Sequence, residues 1–272
     1  MGDLIGLVPL EGGASGWPPG VHSFDTRPLV PGAGLDWLNN VTFQATLAAV
    51  IVIGFWLIVS RNLKVVPGKR QFIGEFLYNM LRNGIARDII GPEFRRFLPF
   101  LVALFTFILV NNWFGEFFVF MFPTMSKIGY VYALALGSWL LYNGVGIWKS
   151  PGPWYVKPFK YLRKMTLPQG VPVWLWWLII PLEFLSNIIV RPITLTLRLF
   201  ANMFAGHLVT LVFVVGGTML LNSGIPLAIA GGGSVLFAFA FLGLELFIGA
   251  LQAYIFTVLT AQYVASAIAE EH

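Results

Sequence analysis

The sequence predicts an all-α integral membrane protein: about five membrane-crossing helices, an interfacial amphipathic helix, and a long, steeply tilted helical hairpin at the C-terminal end. Three observations carry this. Of 272 residues, 57% are hydrophobic and 11% charged, with a mean hydropathy of +0.79. Soluble domains run nearer a quarter charged, and no core of this length could hide so much apolar surface from water. The apolar residues gather into runs long enough to cross a bilayer. The basic residues gather between those runs. The 25 Phe and 10 Trp suit lipid-facing helices with aromatic belts at the interfaces.

In chain order, Met1 to Pro31 is rich in Gly and Pro, with no basic start and no continuous apolar stretch, so no cleavable signal peptide is expected. Residues 1–40 read as an extracytoplasmic arm. The first span occupies 41–60. A pair of spans follows over 97–148, the first from Phe97 to about Phe122 and the second from Ile128 to Trp148. Thirteen of the 17 basic residues lie in two connecting stretches, eight in 61–96 and five in 149–172. The positive-inside bias puts both loops on the cytoplasmic side and the N-terminus outside. Within the first loop, Phe72, Ile73, Phe76, Leu77, Met80, Leu81 and Ile85 recur at helical spacing, predicting an amphipathic helix in the interface.

The last hundred residues, 173–272, break the simple pattern. Val173 to Leu221 is almost wholly apolar, with Pro181 and Pro192 inside it and no polar turn. As one helix it would be roughly 73 Å long, and the helix after the Asn222–Pro226 turn roughly 64 Å, against about 30 Å of hydrocarbon. Tilted helices bent at the prolines meet that constraint. Two extra upright crossings, with a reversal at Arg191-Pro192, are the alternative. Gly231, Gly232 and Gly233 are expected to let a neighbouring helix approach closely.

Four ionisable groups fall inside this hairpin: Glu183, Arg198, His207 and Glu245, with Asn202 and Gln252 as polar companions. A charge at the centre of a membrane helix costs about 2.5–3.5 kcal/mol, and its default reading is an ion or substrate pathway. The plainer alternative is that these groups hydrogen-bond between helices and hold the bundle together. Thr194, Arg198 and Asn202 are spaced i, i+4, i+8 and form one stripe. His207, nine residues past Arg198, lies half a turn out of phase. Glu245, Gln252 and Tyr263 fall near one face of the following helix. Arg carries a permanent charge, whereas His and Glu exchange protons, so the pattern suggests a proton path with an electrostatic gate. Among the other polar residues, Arg191 reads as a snorkelling or helix-end charge rather than a channel residue, and Glu116 as an interface charge, with a relay as the alternative. Asn111 and Asn112 read as interhelical hydrogen-bonding groups, His22 and His272 as solvated, and Tyr263 equally well as interfacial packing.

The run Arg191-Pro192-Ile193-Thr194-Leu195-Thr196-Leu197-Arg198-Leu199-Phe200-Ala201-Asn202-Met203-Phe204-Ala205-Gly206-His207 resembles the signature of the F-type ATP synthase subunit a family. Similar to that family as well are Glu245 through Gly249 to Gln252 and Tyr254, continuing to Tyr263 and Glu270-Glu271-His272, and, more weakly, Val66-Pro67-Gly68-Lys69 with Gln71 and Glu75. The resemblance covers about 36–272. It implies a non-catalytic, proton-translocating stator subunit of the Fo sector, working against a rotating c-subunit ring. Peripheral-stalk b subunits, the rest of the F1Fo complex and membrane lipids are the other implied partners.

Arg198 matches the family's essential arginine, which holds a ring carboxylate deprotonated and stops direct leakage between two half-channels. His207, Glu245, Asn202 and Gln252 match the outer half-channel, Thr194 lies near the inner path, and Glu183 resembles an acidic group at its mouth. A bacterial plasma (inner) membrane is the implied location, with the C-terminus cytoplasmic. No cofactor, metal or nucleic acid is expected. The sequence has no Cys, which excludes disulfides and thiolate metal sites, and no G-x-x-x-x-G-K-[S/T] phosphate loop, so any ATP chemistry lies on another chain. A self-contained proton-coupled transporter, with Arg198 in an anion site, is the competing class. An intramembrane enzyme is a third, weakened by the scarcity of nucleophiles.

Overall fold

A computed structural model describes residues 20, 39–61, 63–116, 123–167 and 172–269. The N-terminal arm, the end of the second predicted span and the terminal Glu270-Glu271-His272 therefore fall wholly or largely outside the described residues. Those described are predominantly helical, with no strand among them: α1 Asn40–Ser60, α2 Lys69–Leu81, α3 Phe94–Glu116, α4 Ile128–Lys149, α5 Lys157–Thr166, α6 Trp176–Phe184, α7 Arg191–Leu221 and α8 Ile225–Ile268. Five helical runs are long and apolar enough to cross a membrane: Asn40–Ser60, Lys69–Glu116, Ile128–Lys149, Val173–Leu221 and Ile225–Ile268. The chain is an all-α membrane protein.

Local chemistry accounts for the helix ends. Asn39 caps α1, its Oδ1 accepting from the Thr42 backbone N–H at 2.9 Å. The α7–α8 turn needs glycine, because Gly224 has φ of +109°. The side chains of Asn222 and Ser223 donate to the last carbonyls of α7, at Thr218 and Met219.

Between Val173 and Leu221 the helix continues through both prolines, so no reversal occurs at Arg191-Pro192. The physical reason is visible around Pro192. Its missing N–H deprives the Ile188 carbonyl of a helical donor. The helix widens into a π-helical stretch over Leu185–Val190, and the Trp139 indole N–H donates to that carbonyl at 3.1 Å. At 49 and 44 residues, the last two runs are about 73 and 66 Å long and fit the hydrocarbon only when tilted.

Two regions differ from expectation. α2 runs on through π-helical Arg82–Ile90 and a single 3-10 turn, Gly91–Glu93, into α3. Its apolar stripe is also divided: Phe72, Ile73 and Phe76 face outward, whereas Leu81 and Ile85 are buried. The second basic loop contains a helix, α5, started by Pro158 and docked through Tyr161. Gly146 makes room for it, since a Cβ there would stand 2.2 Å from the Tyr161 ring.

The described residues fold as two compact units. The first contains α1, the start of α2 to Gly74, α3 from Ala103, the Thr124–Ser126 turn, and the chain from Phe200 to Tyr254. The second contains the rest of α2, the start of α3 to Val102, α4, α5, α6, the chain to Leu199, and α8 from Ile255.

Candidate functional site

Among the described residues each unit holds a half-open cavity with ionisable groups in its lining. In the first, α3, α7 and α8 surround a cavity of about 210 Å³ whose polar lining comes from Glu116, Asn202, His207 and Glu245. Glu116, His207 and Glu245 are buried, and Asn202 is half-buried. His207 Nδ1 stands 3.9 Å from Glu116 Oε1. Glu245 lies within electrostatic reach of Glu116, His207 and the buried Thr210 hydroxyl.

Sequence sets this arrangement in two ways. Gly206 opens the space into which Glu245 reaches, because a Cβ at 206 would lie 2.6 Å from Glu245 Oε1. On the other side, α3 grips the backbone of α8. Asn112 Nδ2 donates to the Gly249 carbonyl at 2.9 Å, and Trp113 Nε1 to the Leu246 carbonyl at 3.1 Å. Those bonds hold the rotation of α8 about its axis, and with it the direction of Glu245. Gly249 permits the close approach, its missing Cβ lying 3.2 Å from Asn112 Cβ. Gln252, two turns beyond Glu245, is buried but outside the cavity lining.

The second unit holds a cavity of about 200 Å³ lined by Tyr161, Lys164, Glu183, Asn187, Arg191, Tyr263 and Ser266 among others. Asn187 is the organiser. Its Nδ2 donates to Glu183 Oε2 at 2.8 Å and to the Met165 carbonyl at 3.1 Å, joining α6 to the end of α5. The Arg191 guanidinium stacks over the Tyr263 ring at 4.9 Å. The Tyr161 hydroxyl donates to Asn143 Oδ1 at 3.1 Å. Burial pushes this phenol up to about 12, against a smaller opposing effect from the Arg191 charge, so Tyr161 stays a neutral donor at physiological pH. Lys164 Nζ reaches the Ala269 carbonyl just past the end of α8.

Arg198 lines neither cavity. It is exposed on α7 together with Thr194, Leu197, Ala201 and Ala205, at separations that form one helix face. Thr194 turns its hydroxyl onto its own helix, donating to the Val190 and Arg191 carbonyls at 2.9 and 3.0 Å.

Of the residues singled out from sequence, the structure brings His207, Glu245 and Asn202 together in one cavity and Glu183 and Tyr263 in the other. Gln252, Thr194 and Arg198 stand outside both. Two more residues line the cavities: Glu116 the first, facing His207 and Glu245, and Arg191 the second. The available signal for Glu116 was its i+4 spacing from Asn112, which puts both on one face of α3. Nothing in the local pattern marked Asn187 or Tyr161.

The family model described as ATP synthase A chain matches residues 42–265. Proteins named ATP synthase subunit a are similar over nearly the whole length. One from a Nocardioides species is 43% identical over 266 residues, covering 94% of each chain. One from Pseudarthrobacter chlorophenolicus is 36% identical over 274 residues, covering 97% of this chain and 98% of that one. One from Paenarthrobacter aurescens is 38% identical, with the same coverage. The two cavities and the exposed arginine thus sit in a chain that belongs to the ATP synthase A chain family, the subunit a of the F-type ATP synthase.

Proposed function

We propose that this chain is the proton-channel stator subunit of its ATP synthase. It forms two half-channels against a rotating c-subunit ring and couples transmembrane proton flow to rotation and ATP synthesis, while catalysis takes place on other subunits. The observation that carries the reading is an arginine exposed on α7, outside the lining of the cavity with ionisable groups that each unit holds. Arg198 lies near the middle of the 49-residue Val173–Leu221 run, exposed on the chain by itself. Facing lipid there it would cost about 2.5–3.5 kcal/mol. A partner helix carrying a membrane carboxylate removes that cost by pairing with it. Thr194, Leu197, Ala201 and Ala205 give the same face the small and apolar character a sliding helix interface requires.

In this reading the basic loops at 61–96 and 149–172 are cytoplasmic and residues 1–40 lie outside. The spans are 41–60, the pair within 97–148 and the tilted hairpin 173–272. His207, Glu245 and Asn202, with Gln252 behind them, pass protons inward from the outer face to a ring carboxylate. The carboxylate returns after nearly a full turn, meets Arg198 and loses its proton. Glu183, with Asn187, Arg191, Tyr263 and nearby Thr194, forms the way out to the cytoplasm. One proton falling through 100 mV releases about 2.3 kcal/mol, which an ungated path would dissipate. Peripheral-stalk b subunits hold the chain against the torque. A bacterial plasma membrane is the setting, in keeping with the bacterial relatives.

The test is ATP-driven acidification of inverted membrane vesicles. Arg198→Ala is expected to abolish pumping and to leave a passive proton leak in the assembled complex. Pumping at near wild-type rate with normal assembly would refute the reading.

A further inference from the structure

We infer that Glu116 is a proton-exchanging member of the first cavity, acting with Glu245 and His207, so that the cluster has three exchangeable groups on three helices. The inference rests on the proton-channel reading above and extends it to a residue on α3.

Position is the first argument. The Glu116 side chain is 4% exposed and His207's is 6%, so both face the interior. The cavity between them is roomy enough for several waters at about 210 Å³. The titratable groups facing Glu116 there are His207 from α7 and Glu245 from α8, and no Lys or Arg lines the cavity among the described residues. A buried carboxylate whose role was structural would be paired with a permanent cation or tied by hydrogen bonds. Glu116 Oε2 and both Glu245 oxygens instead make no protein hydrogen bond of normal geometry among the described residues.

The second argument is that the helices are held so that these groups meet. The Asn112 and Trp113 bonds to the Gly249 and Leu246 carbonyls set α3 against α8 one turn away from the Glu116–Glu245 pair. Gly206 lets the Glu245 carboxyl cross in front of α7. The step is balanced within the cluster. A proton leaves the Glu245 carboxyl for the Glu116 carboxylate, or for the His207 imidazole, directly or through a water. The donor carboxyl becomes a carboxylate as the acceptor becomes a neutral carboxyl (Glu116) or a charged imidazolium (His207), so the net charge of the cluster is conserved.

The experiment compares wild type, Glu116→Gln, Glu116→Asp and Arg198→Ala in inverted vesicles carrying the whole complex. ATP-driven pumping and, after removal of the peripheral catalytic sector, passive proton conductance are measured across a range of pH. Glu116→Gln keeps the shape but not the exchangeable proton. Its proton conductance is expected to fall about tenfold, with a changed pH profile and a normal amount of assembled complex in the membrane, and Glu116→Asp is expected to restore most of the rate. A merely structural carboxyl would leave the pH profile unmoved. Wild-type rate and profile in Glu116→Gln, beside lost pumping in Arg198→Ala, would overturn this inference while leaving the proton-channel reading standing. Wild-type pumping in Arg198→Ala would instead overturn that reading. Should Glu116→Gln fail to assemble, Glu116→Asp decides: a shifted pH profile supports the role and an unshifted one refutes it.

Discussion

Alanine at Gly231 should open the α7–α8 hairpin, whereas alanine at its neighbours should not. A Cβ at Gly231 would stand 2.7 Å from the Gly217 carbonyl oxygen and 2.7 Å from the Leu221 backbone nitrogen. Both are backbone atoms that cannot rotate away. Easing the contact to an ordinary 3.4 Å separates the helices by about 0.7 Å. The same displacement stretches the bond from Ser234 Oγ to the Phe213 carbonyl, now 2.8 Å, to about the limit of a hydrogen bond. Overpacking of this kind costs about 1–3 kcal/mol, and rigid neighbours put it toward the upper end. Greater helix propensity returns about 0.8–1 kcal/mol, so Gly231→Ala is expected to destabilise by about 1–2 kcal/mol.

At Gly232 and Gly233 a Cβ meets nothing within 4 Å, so only the propensity gain remains. The positions should therefore differ by about 2–3 kcal/mol although they are adjacent and chemically identical. Unfolding of the detergent-solubilised chain by SDS, followed by circular dichroism, measures the difference. Equal midpoints for all three alanine variants would refute the packing argument, and a destabilisation confined to Gly232→Ala would show that the helix is rotated from the position described.

Two further expectations concern the first cavity. Gly206→Ala places a methyl group 2.6 Å from Glu245 Oε1, the far end of a flexible side chain, so the fold should survive while the carboxyl is displaced. Pumping in inverted vesicles should drop severalfold at normal assembly, and an unchanged rate would show that the Glu245 carboxyl does not need this position. Asn112→Ala removes the bond to the Gly249 carbonyl, and membrane side-chain bonds of this kind are worth about 0.6 kcal/mol and at most about 1.7. A stability loss within that range by the same SDS titration is expected, and a loss far above it would mean that Asn112 fills space as well as donating.

Much of the fold could be read from the sequence because the bilayer imposes one length on every crossing. The runs at 41–60 and 128–148 become Asn40–Ser60 and Ile128–Lys149. The hairpin turn was marked by Asn222, Gly224 and Pro226, each with a definite backbone reason to end or begin a helix. Other features depended on neighbours. α5 has only ten residues, too few for periodicity to stand out among its lysines, and is docked by Tyr161 into a notch at Gly146 that belongs to another helix. Of three consecutive glycines only Gly231 makes the close approach, because which one faces α7 is a matter of rotation about the axis. The candidate site shows the same division. His207 and Glu245 stood out as ionisable groups in the middle of apolar runs. Glu116, at the end of a run, looked like the boundary charge that such positions usually carry.

The energetics of α8 say why its orientation is held by side chains from α3. Its 44 residues are apolar on nearly every face, so burial in lipid gives little preference for one rotation over another. Glu245 gives a preference only if something already waits for it, since turned toward hydrocarbon it costs about 2.5–3.5 kcal/mol. The Asn112 and Trp113 bonds to α8 carbonyls contribute less, about 0.6 kcal/mol each. They do, however, act at one register only, because a turn of about 100° per residue carries Leu246 and Gly249 away from both donors together. Specific bonds of modest strength thus select the rotation, and the gap left by Gly206 lets Glu245 accept it without a steric penalty. A chain that needed only to be stable would put leucine at 245 and dispense with all three devices. Keeping the carboxyl, the two donors and the glycine together is intelligible when the carboxyl has a proton to pass.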